Sequence, residues 1–248
     1  MGIVLRRELK AYFLSPIAYV FGVLFLISLG TLTYGNMLIQ GGSADMTPFF
    51  GTLPWIFLFF LPALTMRLWA EERKQGTLEL LLTFPVTISQ LIGGKFLAAL
   101  SYLALLLVLT FGLPITLSAF SQNGLDWGPV IMTYFACLLM AAAYLSVGMF
   151  WSTITRDQII AFLLALVTLV GLYFLGHPVF VTWLTGALPD FPGHAWVVLF
   201  VRGISPFGYF SSISRGMLDT GDLVYYVCFT VFFLHANALV LYGKRMRG

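Results

Sequence analysis

The chain has 248 residues, of which 60% are hydrophobic and only 9% are Asp, Glu, Lys or Arg. Because a soluble domain carries about a quarter charged residues, too few polar side chains are present here to cover a water-soluble globule. The net charge of +3 comes without a basic tract, which argues against nucleic acid as a partner. Long apolar runs, rather than alternation over about ten residues, favour an all-α polytopic membrane protein over a β-barrel.

The N-terminal residues predict an amphipathic helix that lies in the membrane interface. The apolar residues share one helical face and the basic residues lie largely off it: Leu5, Leu9, Tyr12 and Phe13 against Arg6, Arg7 and Lys10. A signal peptide is the alternative, but the apolar run that follows is too long and no small-residue cleavage site comes after it. Ser15 and Pro16 are typical of a cap and the first residue of the next helix.

Six segments are long and apolar enough to cross a membrane, which takes about 20 residues in a helix. They are residues 17–39, 49–66, 92–120, 129–151, 158–176 and 223–242, and we treat the chain as one transmembrane domain. Thr87 and Gln90 have the spacing of a capping box, which predicts a helix that runs into the third span. In the fourth span, Ala142 and Ser146 predict close packing, within the bundle rather than against a second copy.

The placement of basic residues predicts the orientation. If the N-terminus is cytoplasmic, all 13 Lys and Arg residues except Arg202 and Arg215 fall on the inner side. This positive-inside bias predicts a multi-pass protein of the bacterial inner membrane with both termini in the cytoplasm.

The segment between the second and third spans, residues 67–85, is the densest polar stretch of the chain. Glu71, Glu72, Arg73 and Lys74 form a polar turn that Gly76 interrupts. Thr77 then has the position of a cap for a short helix over residues 78–84, which Pro85 helps to end. That helix has one charge, Glu79, among leucines that include Leu81 and Leu82, so it needs an apolar groove to dock into. An ordinary interfacial loop is the alternative.

The stretch from His177 to Asp222 is too long for a simple loop and combines prolines with many apolar residues. We therefore expect short helices at or in the outer leaflet. Arg215 precedes Asp219 by four residues, which predicts a helical ion pair, with a substrate contact as the alternative. The roles of His177, of His194 and of His235 inside the sixth span remain open. Cys137 and Cys228 are interpreted as small buried hydrophobes. No spacing predicts a metal site or a cofactor.

The six spans, the N-terminal helix and the pattern E-E-x-x-x-G-T-x-E-x-L-L-x-x-P at residues 71–85 resemble the ABC-2 type permeases, over essentially the whole chain. The stretches 205–210 and 213–219 resemble the branch that includes the gliding-motility-associated permease, and permeases related to copper and nitrous-oxide reductase are similar. The resemblance implies that a second permease and a separate ABC ATP-binding subunit are partners. An extracytoplasmic accessory subunit is a further partner that it leaves open.

The resemblance also implies that the segment after the second span is the coupling helix, which enters a groove on the ATP-binding subunit. Carried over to this chain, the partner-binding residues are Glu71, Glu72, Arg73, Gly76, Thr77, Glu79, Leu81 and Leu82. The chain itself is not expected to be an enzyme. It has no G-x-x-x-x-G-K-[ST], because Gly93-Gly94-Lys95 is followed by Phe96 and begins a span.

Two other functions compete with this hypothesis. An ATP-independent secondary transporter or channel would need carboxylates along an intramembrane pathway, and no Asp or Glu falls well inside a predicted span. An intramembrane serine protease would need a nucleophile motif, and no G-x-S-x-G occurs.

Overall fold

A computed structural model describes residues 2–39, 46–78, 86–120, 125–187, 194–216 and 219–245. Every regular element in these ranges is an α-helix. The elements are α1 (Gly2–Leu14), α2 (Pro16–Ile39), α3 (Thr47–Thr65), α4 (Arg67–Lys74), α5 (Ile88–Leu109), α6 (Gly112–Phe120), α7 (Trp127–Ile154), α8 (Gln158–Gly176), α9 (Pro178–Ala187), α10 (His194–Ile204), α11 (Pro206–Ile213) and α12 (Thr220–Arg245).

Within the described residues, six helical segments are long and apolar enough to cross a membrane. They confirm the prediction of an all-α, six-span membrane protein. The second span runs on from α3 into α4, over Thr47–Lys74, and the third continues from α5 into α6, over Ile88–Ala119. Thr87 caps α5 by accepting a hydrogen bond from the Gln90 N–H at 3.3 Å, as its spacing predicts.

The helix α7 lies at the centre of the bundle. It packs against α12, α3, α8, α5, α11 and α4. Its small residues allow this, since Ala141, Ala143 and Ser146 are completely buried. The closest approach is at Gly148, where an added Cβ would lie 2.1 Å from the Thr65 hydroxyl oxygen of α3. The backbone of α7 therefore packs directly against the end of the second span.

Within its described residues, the stretch from His177 to Asp222 forms the expected short helices α9, α10 and α11. The last two meet at an angle of 80°, and the buried Ser205 lies at the bend. Its hydroxyl donates to the Leu172 carbonyl at 2.6 Å and accepts from the Phe207 N–H at 3.3 Å. The hydroxyls of Tyr225 and Tyr226 donate to carbonyls on either side of Ser205. These bonds hold the bend against α8 and α12.

The two ends of the bundle differ in their side chains. The first, which we call the basic end, holds α1, α4, the start of α5, the end of α7 and the start of α8. The opposite end holds α9–α11. The second and fourth spans are the most enclosed, because 67% of the residues in each are buried. The sixth span is 11% buried, so α12 lies at the periphery.

The contact at Gly148 predicts a position-specific effect of one methyl group. We expect Gly148→Ala to destabilise the protein by about 1–3 kcal/mol, because the new Cβ has no space beside Thr65. Gly171→Ala, in α8, is the matched control, since an added Cβ there meets no atom within 4 Å. Thermal unfolding in detergent measures both variants. Equal transition temperatures would contradict the packing described here.

Candidate functional site

The described part of the charged segment begins where α3 ends. The helix breaks at Met66, between α3 and α4, and Ser152 of α7 bridges the break. Its hydroxyl donates to the Met66 carbonyl at 3.0 Å and accepts from the N–H groups of Trp69 and Ala70 at 3.1 and 3.2 Å. The first N–H groups of a helix lack partners within it. Ser152 therefore supplies the N-terminal partner of α4 from a neighbouring helix.

Arg73 holds the other end of α4. Its guanidinium donates to the carbonyls of Thr153 and Thr155 at 3.2 and 3.3 Å and to that of Ile154. These carbonyls lie at the C-terminus of α7, where the helix dipole favours a cation. Since Ser152 holds the start of α4, both ends of this short helix are bound to one end of α7.

Four side chains form what we call the charge cluster: Arg7, Glu8, Glu72 and Lys95. The Lys95 ammonium lies 2.7 Å from a Glu72 carboxylate oxygen and 3.4 Å from one of Glu8. Arg7 lies 2.7 Å from the same Glu8 oxygen and 3.8 Å from that of Glu72. The cluster has two cations and two anions, and it joins α1, α4 and α5.

Burial makes this cluster a strong constraint. The Lys95 side chain is only 3% exposed, and its ammonium also lies 5.1 Å from the centre of the Trp69 ring. A buried charge costs several kcal/mol unless it is paired, so Lys95 requires both carboxylates in place. Close packing supports the arrangement. An added Cβ at Gly94 would lie 2.7 Å from a Val4 methyl carbon, so α1 packs directly against α5.

A second ion pair lies on the surface of α4 itself. Arg67 Nε is 3.2 Å from a Glu71 carboxylate oxygen, one helical turn away. Both side chains line a groove of ≈ 310 Å³ that α1, α2, α3, α4 and Lys95 of α5 enclose, with Tyr12 on its wall. Burial, with Glu8 adding to its effect, raises the pKa of the Tyr12 phenol. That hydroxyl therefore stays protonated at neutral pH.

The chain leaves α4 through a tight turn. Gly76 has φ +70°, a left-handed conformation that is typical of the residue after a helix. The Thr77 hydroxyl donates to the Glu72 carbonyl at 3.1 Å. This hydrogen bond ties Thr77 back to the last turn of α4. Glu79, Leu81 and Leu82 lie outside the described residues.

Comparison with protein families gives the family of the whole chain. A family model described as ABC-2 family transporter protein matches residues 4–243. The chain belongs to the ABC-2 family of transporter proteins. None of the curated proteins matches it. Membership makes this chain a membrane permease of an ABC system, a transmembrane component that is not itself the ATPase, and it implies a partner subunit that binds ATP. The gliding-motility branch stays a prediction.

Within this ABC-2 permease, the residues predicted to bind a partner have different surroundings. Glu72 and Arg73 point into the bundle and make intramolecular contacts. Glu71 lies on the groove. Gly76 lies in the turn after α4, and Thr77 and Leu78 are helical again.

Sequence reasoning missed three residues of this site: Glu8, Lys95 and Ser152. The sequence places Lys95 on the basic side and rules it out of a phosphate-binding loop, but neither observation predicts its partners. A lone lysine in the early turns of an otherwise apolar span, together with a lone acid on the basic N-terminal helix, is the sequence pattern that indicates such a pair. Nothing in the local sequence distinguishes Ser152 from other serines.

At the opposite end, Arg215 and Asp219 do not form the predicted ion pair. Arg215 Nε donates to the Ser211 carbonyl at 3.0 Å, and Asp219 accepts from the Gly221 N–H at 3.2 Å. The reason is local geometry. The helix α11 ends at Ile213, and Gly216, in the turn that follows, has φ +80°, so the helical spacing of four residues does not bring the two side chains together.

The remaining candidates have structural surroundings. The His177 ring stacks on Phe207 at 5.7 Å between centroids, whereas His235 lies on the exposed surface of α12. Cys137 is buried as expected, but Cys228 is exposed, so the interpretation as a buried hydrophobe is wrong for the second cysteine. No group of three or more His, Cys, Asp or Glu side chains suited to a metal occurs among the described residues.

The charge cluster predicts that its lysine is essential for stability. We expect Lys95→Met to destabilise the protein by about 3–5 kcal/mol, because Glu8 and Glu72 are then left as buried like charges. Lys74→Met, on the exposed end of α4, is the matched control and should change stability by less than about 0.5 kcal/mol. Thermal unfolding with each variant is the measurement. Adding Glu72→Gln to Lys95→Met should restore part of the loss, and an identical transition for the two lysine variants would refute the role of the cluster.

Proposed function

We propose that this chain is the permease of an ABC export or force-transmitting complex, and that the segment after α4 couples it to the separate ATP-binding subunit. The basic end is then cytoplasmic and the membrane is the bacterial inner membrane, in agreement with the distribution of Lys and Arg. The observation that carries the proposal is the fixing of α4. One short helix is bound to α7 at both ends and to α1 and α5 through the charge cluster.

A force from the ATP-binding subunit can be transmitted into the bundle only if α4 is held in this way. A force applied to the chain just after Gly76 acts on a helix that cannot slide independently of the bundle. Through Ser152 and Arg73 the force reaches α7, the helix that contacts most of the others. Through Glu72 and Lys95 it reaches the third span and the N-terminal helix.

The leucine-rich residues that follow are suited to docking. Glu79, Leu81 and Leu82 supply one acid to fix the register and apolar side chains to fill a groove on the partner. Moving a two-state bundle from 1:99 to 99:1 takes about 5.5 kcal/mol of differential binding. Since a buried leucine contributes about 1.5–3 kcal/mol, a few seated leucines suffice for that coupling.

A second permease, identical or related, completes the proposed complex. The periphery of the bundle offers apolar surface for it, because the first, fifth and sixth spans are 28%, 28% and 11% buried in the single chain. The bent helices α10 and α11 at the opposite end are available to cargo or to an extracytoplasmic accessory subunit. ATP hydrolysis takes place on the partner, in keeping with membership of a transmembrane family.

The docking residues can be tested by co-purification with the ATP-binding subunit. We expect Glu79→Arg, and separately the pair Leu81→Asp and Leu82→Asp, to weaken the complex at least about tenfold. The first reverses the charge that fixes the register, and the second places charges in an apolar groove. Asp219→Arg makes the same acid-to-base change at the opposite end of the bundle and serves as control. Wild-type recovery of the ATP-binding subunit with both coupling variants would overturn the proposal.

A further inference from the structure

The proposed coupling assigns no ligand to the groove beside α4, although Glu72 and Lys95 of the charge cluster are part of its lining. It has a volume of ≈ 310 Å³, at the lower end of the range for small-molecule sites. One part of its lining is charged and the rest is apolar. We infer that this groove binds a phospholipid whose headgroup carries a primary amine beside its phosphate, as ethanolamine phospholipids do. The inference goes beyond the proposed function and shares with it only the placement of the basic end at a membrane surface.

The position of the apolar lining fits an acyl chain. Ile17 and Phe21 follow one another along α2, into the first span, and Ala63 and Leu64 precede Arg67 by about one turn in the second span. The groove therefore runs from a charged mouth at the helix ends to an apolar wall inside the bilayer. A ligand that fills it has a polar head and a hydrocarbon tail, which is the chemistry of a lipid.

The charges at the mouth fit a zwitterion. Arg67 and Glu71 stand side by side with opposite signs and are about two-thirds shielded from solvent, since their side chains are 31% and 36% exposed. Their ion pair engages Nε of Arg67, so the terminal N–H groups remain for a phosphate. Of the two Glu71 carboxylate oxygens, one pairs with Arg67 and the other accepts only a long bond of 3.5 Å, from Gln75. That oxygen can accept a hydrogen bond from an ammonium.

Other common headgroups fit less well. An anionic glycerol headgroup offers no cation to Glu71 and leaves that carboxylate against a phosphate, which is repulsive. A choline has no N–H to donate and is recognised instead by open aromatic faces. The Tyr12 ring is stacked on Tyr102, with 5.4 Å between centroids. Of the charge cluster, Glu8, Glu72 and Lys95 also line the groove, so the cluster adds one net negative charge there, which favours a cationic headgroup. The groove thus favours a primary amine over both alternatives.

The test is native mass spectrometry of the full chain in detergent, without the ATP-binding subunit, titrated with ethanolamine, choline and glycerol phospholipids of matched acyl chains. We expect the ethanolamine lipid to bind at least about tenfold more tightly than the other two. Arg67→Gln and Glu71→Gln should each abolish this preference. Lys74→Gln removes a cation from the same helix outside the groove and should preserve it.

Two results would overturn the inference: equal affinity for the three lipids, or a loss of preference with Lys74→Gln as large as with Arg67→Gln. The preference is a ratio, so a variant that folds in lower yield still reports on it. Soluble phosphoethanolamine tests whether the groove binds the free headgroup compound or a lipid that carries this headgroup. If it binds as tightly as the lipid, and Ala63→Phe in the apolar wall leaves lipid affinity unchanged, then a lipid is not the ligand. Failure here leaves recovery of the ATP-binding subunit unaffected, so the two proposals are tested independently.

Discussion

The ammonium group of Lys95 is the point at which the basic end of this permease is held together. It is buried in the first turns of the third span and pairs with Glu72 of α4 and Glu8 of α1. An ion in that position cannot stay buried if either helix moves away, because the cost of an unpaired buried charge is several kcal/mol. The pairing therefore fixes the positions of α1 and α4 relative to the third span. A hydrophobic contact of equal area would hold them together without fixing their register.

The central helix α7 imposes the complementary constraint. Ser152 forms hydrogen bonds with backbone groups at the break between α3 and α4. The last carbonyls of α7 accept hydrogen bonds from the Arg73 guanidinium. Close backbone packing at Gly148 aligns the second span with the same helix. The charged helix at the basic end is thus an extension of the bundle, and this extension ends at the turn that contains Gly76. In the proposed function this division separates a rigid base from a docking segment.

The sequence predicted a structural feature correctly wherever one local property, such as the length of an apolar run, determines that feature. The six spans follow from the length of their apolar runs, and Thr87 was recognisable as a cap because its partner is three residues away. Contacts between distant residues were not accessible in this way. Glu72 and Lys95 are 23 residues apart, and Arg73 and Thr153 are 80 apart, so no local pattern links them. For this reason Glu72 and Arg73 were predicted only as contacts to a partner, although the structure gives both of them partners within the chain.

Local rules also failed where backbone geometry overrode spacing. Arg215 and Asp219 have helical spacing, but the left-handed Gly216 lies between them. The third span was predicted as one helix, yet it breaks after Leu109, where the Thr110 hydroxyl is within 3.0 Å of the Tyr134 hydroxyl on α7. In the second case Pro114 accounts for the break, because a proline inside a helix clashes with the carbonyl four residues before it, here that of Thr110.

The central claim is that α1 and α4 move as one body when the partner binds nucleotide. Spin labels at Lys10→Cys and Lys74→Cys, both exposed positions, would report on it after Cys137 and Cys228 are replaced by alanine or serine. The measurement is the distance distribution between the two labels of one permease chain by pulsed electron paramagnetic resonance, in the complex with its ATP-binding subunit and with labelled chains diluted by unlabelled ones. The account predicts one narrow distribution that is the same with and without ATP. A distribution that shifts or broadens when ATP is added would contradict it.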